Sequence, residues 1–165
     1  MSKYTLPLDV KKVLFEARQR GQVIVLATGV FDVLHREHIA FLRKAKQTGD
    51  LLLVGVETDE RVRVLKGPDR PVNQERVRAA NLMQTGIPDE VFLLPQDFDD
   101  PREHRAFIRQ VNPDILAASS HTPYLEEKRA IMNSAGGELR VVHKHNSEVS
   151  TTKLLERDKS QPNRE

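Results

Sequence analysis

The chain has 165 residues, no cysteine, and 26 Lys and Arg against 24 Asp and Glu, a formal net charge of +2. That length fits one domain with a single core, and the absence of cysteine excludes a disulfide scaffold, thiolate zinc sites and cysteine catalysis, as expected in a reducing, cytoplasmic setting. Near-balanced charge and 5% aromatic content argue against a nucleic-acid partner; no window reaches transmembrane length, which argues against a membrane, and MSKYTLPLDVKK lacks the apolar core of an export signal.

In chain order, Asp9 is placed to cap a helix through Val10, Val13, Leu14 and Ala17 that Gly21 ends. This leading segment, 1–21, is expected to pack on a sheet. Val23 to Ala27 is uniformly apolar, as in a parallel strand covered on both faces. A turn, Thr28 to Asp32, leads to a helix through Ile39, Leu42 and Ala45, with Gly49 as its C-cap. Leu51 to Val56 is a second buried strand, followed by a short helix through Val62 and Leu65. The Gly and Pro content of KGPDRPV, Lys66 to Val72, predicts a loop. Asn73 then caps a helix whose apolar positions include Val77, Ala80 and Leu82.

Val91 to Leu94 is a third strand. An acidic loop, Gln96 to Asp100, precedes a helix opened by Pro101 and stopped by Asn112-Pro113. Ile115 to Ala118 is a fourth strand, a helix through Leu125 and Ile131 ends at Gly136-Gly137, and Leu139 to Val142 is a fifth strand. Ser150-Thr151-Thr152 caps a last helix, and 156–165 reads as a polar, disordered tail. Strand and helix alternate throughout. The expected fold is α/β: a doubly wound, Rossmann-like parallel sheet of about five strands, order 3-2-1-4-5, with helices on both faces. Ligands of such sheets lie beyond the carboxyl ends of the strands at the switch point, here between the first and fourth. The His35 loop and the Ser119-Ser120-His121 loop would face each other there.

Several residues near that crevice suit phosphate chemistry. Gly29 removes a Cβ where a ligand would approach the backbone, and the helix start beyond it offers unpaired N–H groups. His35 and His38, three apart, point to one side of a helix start. They can donate to phosphoryl oxygens, or simply cap the helix; as a metal pair they lack a third ligand nearby. Lys66 and Arg70 put two cations on a loop able to close on a polyphosphate. Ser150-Thr151-Thr152 offers hydroxyls and N–H groups at another helix start. Arg76 and Arg78 lie on a helix near the Lys66 loop.

In this order, Thr28-Gly29-Val30-Phe31-Asp32, His35-x-x-His38, Glu75-Arg76 and Ser150-Thr151-Thr152-Lys153 resemble the motifs of the cytidylyltransferase-like nucleotidyltransferases. The likeness is nearest to the adenylyltransferase domain of the bifunctional heptose-phosphate enzymes. It extends from Val10 to about Leu155, and includes KGPDRPVN, the NPDIL strand and the AGGEL turn. Glycerol-3-phosphate cytidylyltransferases are similar over a shorter length. The resemblance implies a nucleotidyltransferase domain over 1–155. It would pass AMP or CMP from a nucleoside triphosphate, accompanied by Mg²⁺, to a small sugar- or polyol-phosphate, with release of pyrophosphate. His35, His38 and Lys66 would be catalytic. Thr28, Gly29, Val30, Phe31, Ser150 and Thr151 would bind the nucleotide, and Asp32 and Arg76 the acceptor. No resident metal site is implied; a homodimer is.

Three departures from that pattern fall in the crevice. Glu37 replaces the glycine of His-x-Gly-His, Ser119-Ser120-His121 replaces Gly-Gly-Asp, and His145-Asn146-Ser147-Glu148 replaces a segment often bearing Arg and Gly. One carboxylate about 4 Å from one phosphate charge, at an effective dielectric near 20, costs on the order of 4 kcal/mol, or roughly a thousandfold in affinity. The alternative expectation is therefore a catalytically impaired relative that retains nucleotide binding or a regulatory or assembly role.

Overall fold

Alternate residues of each central strand turn to opposite sides, and this periodicity builds two hydrophobic layers. The computed structural model describes residues 2–144 and 151–160. Its elements are α1 (Leu8–Gln19), β1 (Ile24–Gly29), α2 (Arg36–Lys46), β2 (Leu51–Val56), α3 (Asp59–Lys66) and α4 (Glu75–Gln84). They are followed by β3 (Glu90–Leu93), α5 (Pro101–Val111), β4 (Ile115–Ser119), α6 (Leu125–Ser134), β5 (Glu138–His143) and α7 (Thr151–Ser160). All four strand pairings are parallel, in the order β3-β2-β1-β4-β5.

Ile24, Leu26, Leu51, Leu53 and Leu116 pack one way, against Leu14 of α1, Phe107 of α5 and Met132 of α6. Val25, Ala27, Leu52, Val54 and Ala117 pack the other way, against Leu42 and Ala45 of α2 and Leu82 of α4. The sheet is thus covered on both faces, as uniformly apolar strands require. The topology reverses between β1 and β4, and their carboxyl ends open a crevice.

Local chemistry fixes most boundaries. Thr58 caps α3 by accepting the Arg61 N–H at 3.2 Å, and Asp100 caps α5 by accepting that of Arg102 at 2.8 Å. Asn112 ends α5 in the left-handed region, φ 48°, which asparagine tolerates. Among the described residues no helix is long and apolar enough to cross a membrane.

Five local expectations need correction. Asp9 is not the first cap: α1 starts one residue earlier, after Pro7, and Asp9 lies in the first turn, where its charge suits the helix dipole. Asn73 does not cap α4, because its N–H is given to Asp32 at 3.0 Å and its carbonyl accepts from Arg78; Gln74 takes the cap position. Gly49 is not a left-handed C-cap; a Cβ there would lie 2.6 Å from Val25 Cγ2 and 2.9 Å from the Val23 carbonyl, so close packing on β1 requires it. On α4, Leu82 is buried as expected, but Val77 is exposed and the inward position belongs to Arg78. At the C-terminal end, α7 runs to Ser160, through the first part of the stretch read as a tail; 161–165 lie outside the described residues.

Candidate active site

The turn after β1 is held in a conformation that most side chains avoid. Phe31 and Val33 have φ of 52° and 47°, a left-handed region that costs on the order of 1–3 kcal/mol for each such residue. Two braces hold it there. The buried Asp32 carboxylate accepts the N–H groups of Val72 at 2.7 Å and Asn73 at 3.0 Å and pairs with Arg70 Nε at 3.3 Å. Arg78, with 0% exposure, donates to the carbonyls of Val30 at 2.7 Å, Asn73 at 3.0 Å and Glu57 at 2.8 Å, and pairs with Asp59. Gly29 serves the same turn, since a Cβ there would come within 2.9 Å of the Phe31 ring. That ring is buried and meets His38 edge-on, with centroids 5.6 Å apart.

His35 and His38 cap α2 and also face the crevice. His35 Nδ1 accepts the Glu37 N–H at 3.3 Å, and His38 Nδ1 accepts the His35 N–H at 3.4 Å. Their rings stack with centroids 3.8 Å apart. A ring nitrogen that accepts carries no proton, so the N–H that each ring can offer the crevice is on Nε2. Burial, then the charges of His35 and Lys66, push His38 down to about 3 against the opposing pull of Asp32 and Glu37. Over the physiological range His38 is a neutral donor.

Lys66 ends α3 beside this pair. Desolvation and then the Arg70 charge lower its pKa, while Asp32 raises it. Arg70 is buried and donates from Nη1 to Thr152 of α7 at 3.2 Å. Its Nη2 is buried with no hydrogen-bond partner among the described residues. α7 therefore returns to the crevice through Thr152. Ser150 and the Thr151 side chain lie outside the described residues, as do His145 to Glu148.

Glu37 turns toward β5. His143 Nε2 lies 2.6 Å from its carboxylate, and His143 Nδ1 lies 3.0 Å from Lys44 Nζ. An ammonium only donates, so Nδ1 accepts and Nε2 carries the proton given to Glu37. The carboxylate thus meets a hydrogen-bonded imidazole with a cation behind it.

These groups line one cavity of about 470 Å³, which also takes in Ser119, His121 and Thr122 from beyond β4. The predicted Thr28, Gly29, Val30, Phe31, Asp32, His35, His38 and Lys66 all border it. Arg76 does not; it is exposed on α4. Sequence reasoning missed the opposite end, where Glu57, Phe98 and Lys128 contribute. The only signal for Glu57 was its place just after a buried strand, and for Lys128 there was none. Burial raises Glu57, opposed by Arg61, Lys128 and Arg78, and burial lowers Lys128, opposed by Glu57. His104 packs behind Phe98, with ring centroids 4.6 Å apart.

A family model described as cytidylyltransferase-like matches residues 26–157. The bifunctional protein HldE of Syntrophotalea carbinolica is 36% identical over 94% of this chain and 31% of that protein. The HldE of Aeromonas hydrophila is 40% identical over 82% of this chain and 28% of that protein. The chain thus spans less than a third of the length of these curated relatives. Among solved structures, a lipopolysaccharide core biosynthesis protein from Thermoplasma volcanium superposes with a TM-score of 0.61 at 29% identity, covering 76% of this chain and 98% of that one. Pantothenate synthetase from Thermus thermophilus shares the fold at 16% identity and a TM-score of 0.58, covering 89% of this chain and 68% of that one.

Proposed function

The chain belongs to the cytidylyltransferase-like family, and from that premise we propose that it transfers AMP or CMP from a nucleoside triphosphate to a small sugar- or polyol-phosphate. A phosphate oxygen of the acceptor forms the new bond to the α-phosphorus. The bond from that phosphorus to the β-phosphate bridge breaks, and its electron pair leaves with pyrophosphate. Mg²⁺ enters with the triphosphate as part of that substrate.

The supporting observation is the convergence of two Nε2–H donors, from His35 and His38, with Lys66 and Arg70 around the Gly29 turn. The histidines donate to the transferring phosphoryl group as its charge builds. Both already carry their protons on the correct nitrogen, so the step needs no proton transfer from the protein. Lys66 and the unpartnered Arg70 Nη2 meet the departing phosphates. The backbone of Gly29, Val30 and Phe31 borders the nucleotide, and the family motif gives Ser150 and Thr151 the same role. Asp32 lies beside the acceptor and holds Arg70 in place. Catalysis is then positioning and charge stabilisation.

Incubation with each nucleoside triphosphate, Mg²⁺ and a panel of sugar and polyol phosphates, read as pyrophosphate released, tests this. Wild type turns over one combination, and His38→Ala loses on the order of 10²–10³-fold in rate. A second reading, nucleotide binding without transfer, is favoured by one observation: Glu37 still lines the cavity where the family motif has glycine. Silence from wild type with turnover by Glu37→Gly would establish it.

A further inference from the structure

The two ends of the cavity differ in charge balance. At the histidine end, Lys66 and Arg70 face Asp32, while the second carboxylate, Glu37, is engaged by His143 with Lys44 behind it. At the other end the cations are matched by acids: Arg61 pairs with Asp99, Arg78 with Asp59 at 2.9 Å, and Lys128 and Glu57 border the cavity together. No surplus positive charge remains there for a second anion. Three cations around Glu57 also oppose a divalent metal ion.

Glu57 nevertheless has an unmet demand. It extends the β1–β2 ladder by giving its N–H to Gly29 at 3.0 Å. Strand alternation places its side chain on the face of Leu51 and Leu53, toward α5 and α6. It is 8% exposed, and Oε2 is buried without a hydrogen-bond partner among the described residues. A buried carboxylate oxygen left unpaired loses its hydration without a compensating bond. The residue borders the cavity, so a ligand donor can satisfy it. Lys128, 9% exposed with Nζ 5.8 Å from the Phe98 ring centroid, borders the same end.

We propose that Glu57 and Lys128 are a specificity-determining pair: Glu57 accepts hydrogen bonds from uncharged hydroxyls of a sugar-phosphate acceptor, and the balanced pair disfavours an acceptor with a second phosphate. This deepens and rests on the nucleotidyl-transfer reading. The acceptor phosphate goes to the cationic end, and its polyhydroxylated remainder reaches Glu57. Arg61, Lys128 and Arg78 oppose the rise that burial imposes on Glu57, and in its carboxylate form the side chain is purely an acceptor.

The test is calorimetric binding to the full chain. The probes are glucose, mannose and galactose 1-phosphates, glycerol 3-phosphate, ethyl phosphate and glucose 1,6-bisphosphate. At least one pyranose phosphate should bind tenfold or more tighter than ethyl phosphate, with the bisphosphate weaker than its monophosphate. Glu57→Met should erase that preference, a loss of roughly tenfold to a hundredfold, and leave ethyl phosphate and nucleoside triphosphate affinities unchanged. The Glu57→Met/Lys128→Met double variant removes both charges at once, a replacement that buried pairs tolerate, and should behave alike with an unchanged melting temperature. A preference that survives the double variant, a bisphosphate that binds as tightly, or no probe exceeding ethyl phosphate overturns the proposal. Pyrophosphate release is measured separately. A Glu57-dependent preference without turnover sinks the transfer reading and spares the subsite. Turnover indifferent to Glu57 does the reverse.

Discussion

The two ends of the cavity are built differently. The histidine end is centred on contiguous sequence, Thr28 to His38, wound through a strained turn whose side chains cap the next helix, with Lys66 and Arg70 added to it. The Glu57 end is assembled across the sheet from the β2 terminus, the loop before α5, and α6. A contiguous turn is locally determined, so its chemistry can be read as a motif. A site assembled from separate elements exists only once the core has packed, and its residues look like ordinary surface charges until then.

Arg78 joins the two ends, since it donates to Val30 on one side and to Glu57 on the other. Arg78→Met is the strongest way to break the distinction. It leaves Asp59 short of its ion-pair partner and three carbonyls short of a donor, a loss of about 3–5 kcal/mol for breaking a buried pair. The melting temperature should fall on the order of 10 °C, measured by scanning calorimetry. Both ends should loosen together, seen as faster amide exchange at Val30 and Glu57 alike. Protection lost at one end alone would show the ends to be independent.

The same arginine shows where sequence reading stops. The strand order, the crevice between β1 and β4, and the histidine pair were legible because each depends on short-range periodicity or a local turn. Arg78 was not, since its helix pattern made Val77 the apolar position and a charged residue the solvent-facing one. Burial of Arg78 follows from the Asn73 carbonyl beside α4 and from the Val30 and Glu57 carbonyls of two distant segments, which no window on α4 contains. Asp32 is the reverse case: correctly located, but its carboxylate is occupied by the Arg70–Asn73 loop. His143 was invisible as a partner because β5 reaches α2 only through the crossover.

Each end also keeps a histidine neutral by burial, and acid should separate them. Burial and then Lys128 lower His104 to about 4, against a backbone hydrogen bond with Phe98, while His38 is lowered to about 3. Both values lie below the ordinary 6.5, so between them and 6.5 the unfolded chain binds the proton that the folded chain refuses. This stability is complete above about pH 6.5 and is lost as pH falls toward each folded value. At pH 4.5 the His104 share is on the order of 2 kcal/mol. His104→Leu should shrink the wild-type drop in unfolding free energy between pH 7.5 and 4.5 by about that much, measured by urea titration. An identical drop in both proteins would place the acid-sensitive group elsewhere. The His38 share of the drop continues to lower pH, toward its folded value of about 3.

Glu37 sets the smallest expected effect, and it touches the histidine end alone. Unopposed, its charge would cost a bound phosphate about a thousandfold in affinity. In the folded protein the His143 Nε2–H and the Lys44 cation behind it take up most of that field. Glu37→Gly should therefore tighten nucleoside triphosphate binding by less than about tenfold, read by calorimetry, with His35 and His38 undisturbed. His143→Ala, which removes the Nε2–H donor from the carboxylate, should weaken binding by roughly tenfold, and added salt should narrow the gap because ions entering the open cavity screen the charge. A full thousandfold gain in Glu37→Gly would mean that His143 offsets nothing. No change in either variant would mean that the nucleotide phosphates lie beyond the reach of this carboxylate.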